Sequence, residues 1–229
     1  MNVSVLIPCY NAAPYIAEAL ESVFSQIPAP EEVIVVDDGS TDDSAEVVRA
    51  FDPRVRFDQQ PHRGIGATRN RALQLSSGNL IAFLDADDVW PASSLQCRVD
   101  VLQLQPTIAA VFGLTDEFVS PELSAEARNE FVAAKAPRGG RVLGATLMRR
   151  STFDVVGLFD AAVALPEIDW WSRAAGLPVP LAPIDAVVLR RRLHPASTGA
   201  LGRTDRSAYL RVLKAALDRR APSRDEVAG

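Results

Sequence analysis

Apolar residues along this chain form short unbroken runs that alternate with stretches spaced every three or four positions. Val3-Ser4-Val5-Leu6-Ile7, residues 32–36, residues 55–57 and Ile81-Ala82-Phe83-Leu84 read as strands, the unbroken ones buried on both faces. Between them, Ile16, Ala19, Leu20, Val23 and Phe24 have helical spacing within residues 13–26. Ala45, Val47, Val48 and Phe51 mark a second helix, and a third runs from Gly64-Ile65-Gly66 to Leu75. The order β-α-β-α-β-α-β predicts an α/β fold with a mostly parallel sheet, right-handed crossovers and flanking helices. After Pro91 a helix is expected to about Gln105, and a strand over 108–113. Residues 115–140 lose periodicity and read as a surface excursion of the kind that carries specificity. A strand over 142–148, a short helix over 151–156, a helix opened by Pro166 and a last strand over 186–189 follow. Tyr209, Leu210, Leu213 and Leu217 give an amphipathic helix over 204–219, with a frayed tail over 221–229. No linker divides the chain, so residues 1–229 are expected to be one domain.

The strand ends carry the chemistry. Tyr10-Asn11, Asp37-Asp38 and Asp85-Ala86-Asp87-Asp88 follow three of the strands, and in a parallel sheet these ends share one rim, where ligands bind. Clustered carboxylates repel unless a cation joins them, and a divalent metal with hard oxygen ligands is their natural partner. Tyr10 offers a face on which a nucleobase can stack, and Asp38 can accept from a ring N–H or a ribose hydroxyl. Taken singly each cluster also fits a cap or turn; three on one rim favour a nucleotide site. The dinucleotide fingerprint is absent, since Gly64-Ile65-Gly66 lacks the third glycine, and there is no phosphate loop ending in Gly-Lys-Ser/Thr. A metal must then carry much of the phosphate binding, which points to Asp87.

Composition narrows the partners. A net charge of −5 argues against nucleic acid. Of 24 basic residues only Lys135 and Lys214 are lysines, and guanidinium suits forked recognition of phosphate or carboxylate. Cys9 and Cys97 suggest neither a disulfide framework nor a thiolate metal site, which fits a reducing compartment. With no basic leader before the first strand and no apolar run near the ~18 residues of a membrane span, a soluble cytoplasmic protein is expected.

The ordered set of motifs resembles family 2 glycosyltransferases of the GT-A fold. The stretches that carry the likeness are Val5-Leu6-Ile7-Pro8-Cys9-Tyr10-Asn11, Val35-Val36-Asp37-Asp38-Gly39-Ser40-Thr41-Asp42, Gly64 with Ala67-Thr68-Arg69-Asn70, and Phe83-Leu84-Asp85-Ala86-Asp87-Asp88. Weaker echoes lie at residues 144–149, Gly157-Leu158-Phe159-Asp160, Glu167-Ile168-Asp169-Trp170 and Arg192-Leu193-His194. The resemblance implies a nucleotide-sugar-binding half (1–114), an acceptor and catalytic half (115–200), and a C-terminal helix and tail (201–229). It implies that Pro8, Tyr10, Asn11, Asp38, Gly64, Asp85 and Ala86 hold a nucleoside-diphosphate sugar, usually a UDP-sugar. Asp87 would bind Mn²⁺ or Mg²⁺, and His194 would sit near the metal or diphosphate, although a histidine before Pro195 also fits a surface turn. A carboxylate base would deprotonate the acceptor hydroxyl, giving displacement with inversion.

The base is where the chain departs from the family pattern. Pro166 and Glu167 stand where two acids are usual, so Glu167 is the expected base and Asp169 its rival; residues two apart on a helix do not share a face. Trp170 and Trp171 could stack on an acceptor sugar, or one could be core. Arg190, Arg191 and Arg192 could bind diphosphate or an anionic acceptor, or alternate as a solvated edge. Two rivals remain: a non-catalytic sugar-nucleotide binder that has lost its base, and a phosphatase of the haloacid dehalogenase type. The second fits Asp85-Ala86-Asp87-Asp88-Val89 but places its required lysine, Lys135, in the irregular excursion. The acceptor, whether glycan, lipid-linked or small molecule, is not encoded legibly. The apolar stripe and arginines of the C-terminal helix suit a homodimer or a peripheral membrane contact.

Overall fold

The computed structural model describes residues 2–131, 133–134, 136–197, 210–211 and 214–215. The first half alternates as expected: β1 (Val3–Cys9), α1 (Ile16–Phe24), β2 (Glu32–Asp37), α2 (Ser44–Phe51), β3 (Val55–Gln59), α3 (Ile65–Leu75) and β4 (Leu80–Phe83). Then come α4 (Ser94–Leu104), β5 (Ala110–Val119), α5 (Ala125–Arg128), β6 (Arg138–Gly139), a 3₁₀ turn (Leu143–Ala145), β7 (Thr146–Arg149), α6 (Thr152–Val156), α7 (Pro166–Ala174) and β8 (Leu181–Leu193).

Among the described residues these strands form one sheet in the order β3-β2-β1-β4-β7-β5-β6, with β8 paired to β5. β3, β2, β1 and β4 are mutually parallel; β7 runs antiparallel to both β4 and β5, and β8 runs parallel to β5. Alternation along β1 sends Val5 and Ile7 to one core, against Ile16, Leu20 and Val23 of α1, and sends Leu6 to the other, with Phe83, Phe153 and Trp170. Both faces are covered, which is why the run is apolar but for Ser4.

The second half corrects several expectations. The excursion begins later than residue 115, because residues 115–119 extend β5; it contains α5 and the two-residue β6, and Lys135 lies outside the described residues. Residues 143–145 form a 3₁₀ turn before β7 instead of joining the strand. β8 is 13 residues long, far beyond the expected 186–189, because Pro183 and Asp185 break its apolar run. Its pairing with β5 is irregular: Phe112 and Leu114 face Pro183 and Val187, and Thr115 faces Leu189. Val188 is therefore an extra residue, a bulge. Gly113 makes room for it, since a Cβ there would lie 2.6 Å from a Val188 methyl. Both tryptophans are core: Trp170 is 0% exposed and Trp171 7%, so neither offers a face to an acceptor. Trp170 packs with Phe153 and Phe159 at centroid distances of 5.4 and 5.8 Å, and its Nε1 donates to the Gly157 carbonyl at 2.9 Å. Of the expected C-terminal helix, residues 210, 211, 214 and 215 are described and helical; the rest lies outside the described residues. No helix among the described residues is long and apolar enough to cross a membrane.

α3 and α7 meet closely. A Cβ on Gly66 would lie 3.2 Å from Ala161, Asp160 and Pro166, a tight fit that would push these neighbours back by a few tenths of an ångström, so glycine favours this approach. Asn70 fastens the same junction, its amide donating to the Phe159 carbonyl (2.8 Å) and its oxygen accepting from the Phe159 N–H (3.0 Å). The start of α7 is thereby brought against the rim of the parallel strands.

Candidate functional site

A cleft of about 540 Å³ opens at the C-terminal ends of β1, β2 and β4, closed on its far side by the start of α7 and the end of β8. Pro8, Tyr10, Asn11, Asp38, Asp85, Ala86, Asp87, Glu167 and His194 all line it. Of the expected site residues, Gly64 and Asp169 do not.

On the first wall Tyr10 is 47% exposed, and the His62 ring lies against it at 4.4 Å and 31°. Asp38 is buried and its oxygens are fully engaged. Oδ1 accepts from Gln60 Nε2 (2.7 Å) and Arg63 N (2.9 Å); Oδ2 accepts from Gly64 N (2.8 Å) and lies 2.9 Å from His62 Nδ1. Gly64 thus acts through Asp38, and its φ of +84° explains the glycine. Asn11 adopts φ +49°, a conformation asparagine tolerates, and ties two rims together: its N–H donates to Ser40 Oγ (2.9 Å) and its Oδ1 accepts from Thr41 N (2.8 Å). Asp37 serves the turn, accepting from Ser40 N (3.1 Å) and Gln59 Nε2 (3.0 Å).

The acidic loop after β4 is held by the end of β8, which lies antiparallel to it. Val89 and Arg190 exchange backbone hydrogen bonds of 3.1 and 2.9 Å. Arg192 N donates to Asp88 Oδ1 and its Nε to the Asp87 carbonyl, both at 2.9 Å, while its other nitrogens reach Ser120 and Glu18. His194 Nε2 lies 3.1 Å from Asp87 Oδ2. The surface-turn alternative for His194 is therefore replaced by a buried ring packed 4.4 Å from Tyr15. Asp88 is buried, and burial followed by the charges of Asp87 and Asp85 raises its pKa well above the ordinary carboxylate value. Asp85 is half-buried and pairs with Arg69 Nη2 at 2.9 Å.

The two base candidates separate. Asp169 is buried and paired with Arg173 Nε at 2.9 Å, away from the cleft. Glu167 keeps about 26% of its side-chain surface exposed in the cleft, accepts from Leu143 N at 2.8 Å, and lies 3.7 Å from Arg69 Nη2. Burial raises its pKa above the ordinary value, against the lowering charge of Arg69. Pro166 occupies the first position of α7, where its missing N–H costs nothing, and leaves Glu167 in the cleft.

His62, Arg69 and Tyr15 also line this cleft without having been assigned roles from sequence alone; Arg191, one of the three arginines read either as a diphosphate or acceptor ligand or as a solvated edge, lines it with them. Arg69 had a signal, lying within a family-like stretch; no local pattern links Tyr15 to His194.

A divalent cation suits the donor set at Asp87 and His194, one hard carboxylate oxygen beside one imidazole nitrogen. No group of three or more His, Cys, Asp or Glu among the described residues could hold a metal by itself.

The family model described as "Glycosyl transferase family 2" matches residues 4–161. An uncharacterized glycosyltransferase, alr2836, of Nostoc sp. is 36% identical over 118 residues, 50% of this chain and 37% of that protein. UDP-Glc:alpha-D-GlcNAc-diphosphoundecaprenol beta-1,3-glucosyltransferase WfgD of Escherichia coli is 34% identical over 131 residues, 52% of this chain and 51% of that protein. The matched part is thus about half or less of either relative. Among solved structures, S. aureus TarS 1-349 in complex with UDP-GlcNAc superposes with a TM-score of 0.67 at 19% identity, over 86% of this chain and 60% of that one. Mannosyltransferase PcManGT from Pyrobaculum calidifontis, in complex with GDP-Man and Mn²⁺, gives 0.65 at 24%, over 87% and 59%. These two likenesses bear on the fold, which is that of GT-A glycosyltransferases.

Proposed function

This chain belongs to glycosyl transferase family 2, and we propose that it moves a sugar from a nucleoside-diphosphate donor, a UDP-sugar first among candidates, to an acceptor hydroxyl with inversion. The observation that carries the reading is that Glu167, with its raised pKa, shares one cleft with Tyr10, Asp38, Asp85 and the Asp87–His194 pair. Donors named for the relatives and neighbours (UDP-Glc, UDP-GlcNAc and GDP-Man) support the donor class.

In this reading Tyr10 stacks on the base. His62 is exposed, covers that ring and holds one Asp38 oxygen, so it is the group a base displaces. Asp87 and His194 would hold Mn²⁺ or Mg²⁺. Bound there, the cation would stabilise the charge of the departing diphosphate as a Lewis acid. Glu167 takes the acceptor proton from the opposite side of the anomeric carbon, and its raised pKa brings it nearer the operating pH of a general base. Arg69 fixes Asp85 and Glu167 relative to one another. That Pro166 leaves Glu167 in the cleft supports a catalytic protein over a binder without a base.

The test is thermal stability with UDP and GDP, with and without Mn²⁺, in wild type and Asp87→Asn. A ligand at a hundredfold excess over Kd stabilises by about 2.7 kcal/mol, or roughly 5–11 °C for a chain of this size. A Mn²⁺-dependent shift lost in the variant is expected; no shift with either nucleotide would sink the reading.

A further inference from the structure

Five basic side chains line the cleft among the described residues, and four already face a carboxylate. Arg69 meets Asp85 and Glu167, Arg192 meets Glu18, His62 meets Asp38 and His194 meets Asp87. The Arg191 side chain has no hydrogen bond or ion pair among the described residues. Its place follows from the alternation of β8. Arg190 and Arg192 both lie over the Phe118 ring, at 4.9 and 4.6 Å, from one face of the strand; Arg191 leaves the other face, into the cleft. Its backbone is fixed on both sides, by the Arg190–Val89 bridge and by the bond from Arg192 N to Asp88. Its charge acts on both sides of the cleft, drawing down the pKa of Glu167 and of Asp88 against the burial that raises them.

A guanidinium with free donors, carried on a backbone held at both neighbours and set between a candidate base and an acidic loop, suits a forked hydrogen bond to an oxyanion. We propose that Arg191 is the anion seat of this cleft and takes a phosphate-type oxyanion, either of the donor diphosphate or of a phosphate borne by the acceptor. The source of that anion rests on the transferase reading, whereas the chemistry of the seat does not.

Calorimetric titrations of wild type, Arg191→Met and Arg191→Lys separate the two sources. UDP and uridine are titrated in the presence of Mn²⁺, then inorganic phosphate is titrated into UDP-saturated protein. If the donor diphosphate is the ligand, Arg191→Met weakens UDP about tenfold or more, the scale of a charged hydrogen bond, and leaves uridine unchanged. If an acceptor phosphate is the ligand, UDP binds the variant normally and phosphate binding to the UDP-saturated protein is lost. Arg191→Lys, which keeps the charge without the fork, recovers part of either loss. The proposal is overturned if Arg191→Met alters neither titration, or weakens UDP and uridine equally. A wild type that binds neither UDP nor GDP counts against the transferase reading instead. Phosphate titrated into the free protein then decides the role of Arg191.

Discussion

Replacing Glu167 by glutamine removes one proton acceptor and little else. The amide oxygen can still accept from Leu143 N, now at 2.8 Å, and Arg69 keeps its 2.9 Å pair with Asp85, losing only a 3.7 Å contact. Tyr10 and Asp38, on the other wall, are untouched, so donor affinity is expected to stay within about twofold of wild type. Loss of a general base costs about 10²–10⁴ in kcat, or roughly 3–5 kcal/mol of transition-state stabilisation. The assay is release of nucleoside diphosphate from a UDP-sugar in the presence of acceptor, run across pH. Wild-type rates should fall as pH drops through the raised Glu167 pKa, above the ordinary 4.5, and the variant should lose that limb. Stability moves the opposite way. A carboxyl whose folded pKa is raised binds its proton more tightly in the native state, so its contribution is full below 4.5 and is lost as pH rises through the folded value. Glutamine carries no such loss, so at neutral pH the variant should melt no lower than wild type. Asp169→Asn provides the contrast: it breaks a buried pair with Arg173, and about 3 kcal/mol of stability should go with it. A Glu167→Gln enzyme within threefold of wild-type kcat, or an Asp169→Asn enzyme that is stable but inactive, would refute the assignment.

Three further outcomes are expected. Tyr10→Ala should raise the Kd for nucleoside diphosphates about 5- to 150-fold, the worth of one base–aromatic stack, and a change under twofold by calorimetry would remove Tyr10 from the base site. Arg98 is fully buried without a carboxylate partner among the described residues, held by the Ser94 carbonyl and hydroxyl at 2.9 Å and lying over Trp90 at 4.5 Å, and burial lowers its pKa to about 10. That shift corresponds to roughly 3 kcal/mol of charge burial, so Arg98→Met should be neutral or up to about 2 kcal/mol more stable in urea titration; a loss beyond 2 kcal/mol would mean its hydrogen bonds dominate. The Cys9 thiol, pushed up to about 12 mainly by burial, and Cys97, also raised, should resist disulfide reagents at pH 8 until the protein is unfolded, as absorbance on thiol release would report.

The parts of this molecule legible in sequence are those whose physics is local. β1, β2 and β4 showed themselves because burial on both faces keeps their runs almost wholly apolar, Ser4 of β1 being buried with its hydroxyl hydrogen-bonded, and Tyr10, Asp38 and Asp85 to Asp88 could be placed on one rim because parallel strands share an end. Asp87 and His194 were paired only through the family resemblance, and the structure brings them to 3.1 Å across 107 positions of chain. What stayed hidden depends on partners distant in sequence. β8 accepts Pro183 and Asp185 and so lacks the signature of a long strand. Trp170 and Trp171 look alike as surface stackers or as core until Phe153 and Phe159 are seen to enclose the first. Glu167 and Asp169 are distinguished by what each faces, Arg69 across the cleft or Arg173 one helical turn on, and neither neighbour is marked in the sequence as such.

The extra residue at Val188 sets the parity of everything after it. Removing it would invert the facing of the strand's last turns of the pleat, exchanging Arg191 with Arg192 and withdrawing His194 from Asp87. The stretch from Gly113 to His194 therefore behaves as a reading frame written in three dimensions. Insertions and deletions can accumulate in the excursion after β5, but a single-residue change of length in β8 would scramble the proposed site while every residue assigned to it remained in the chain.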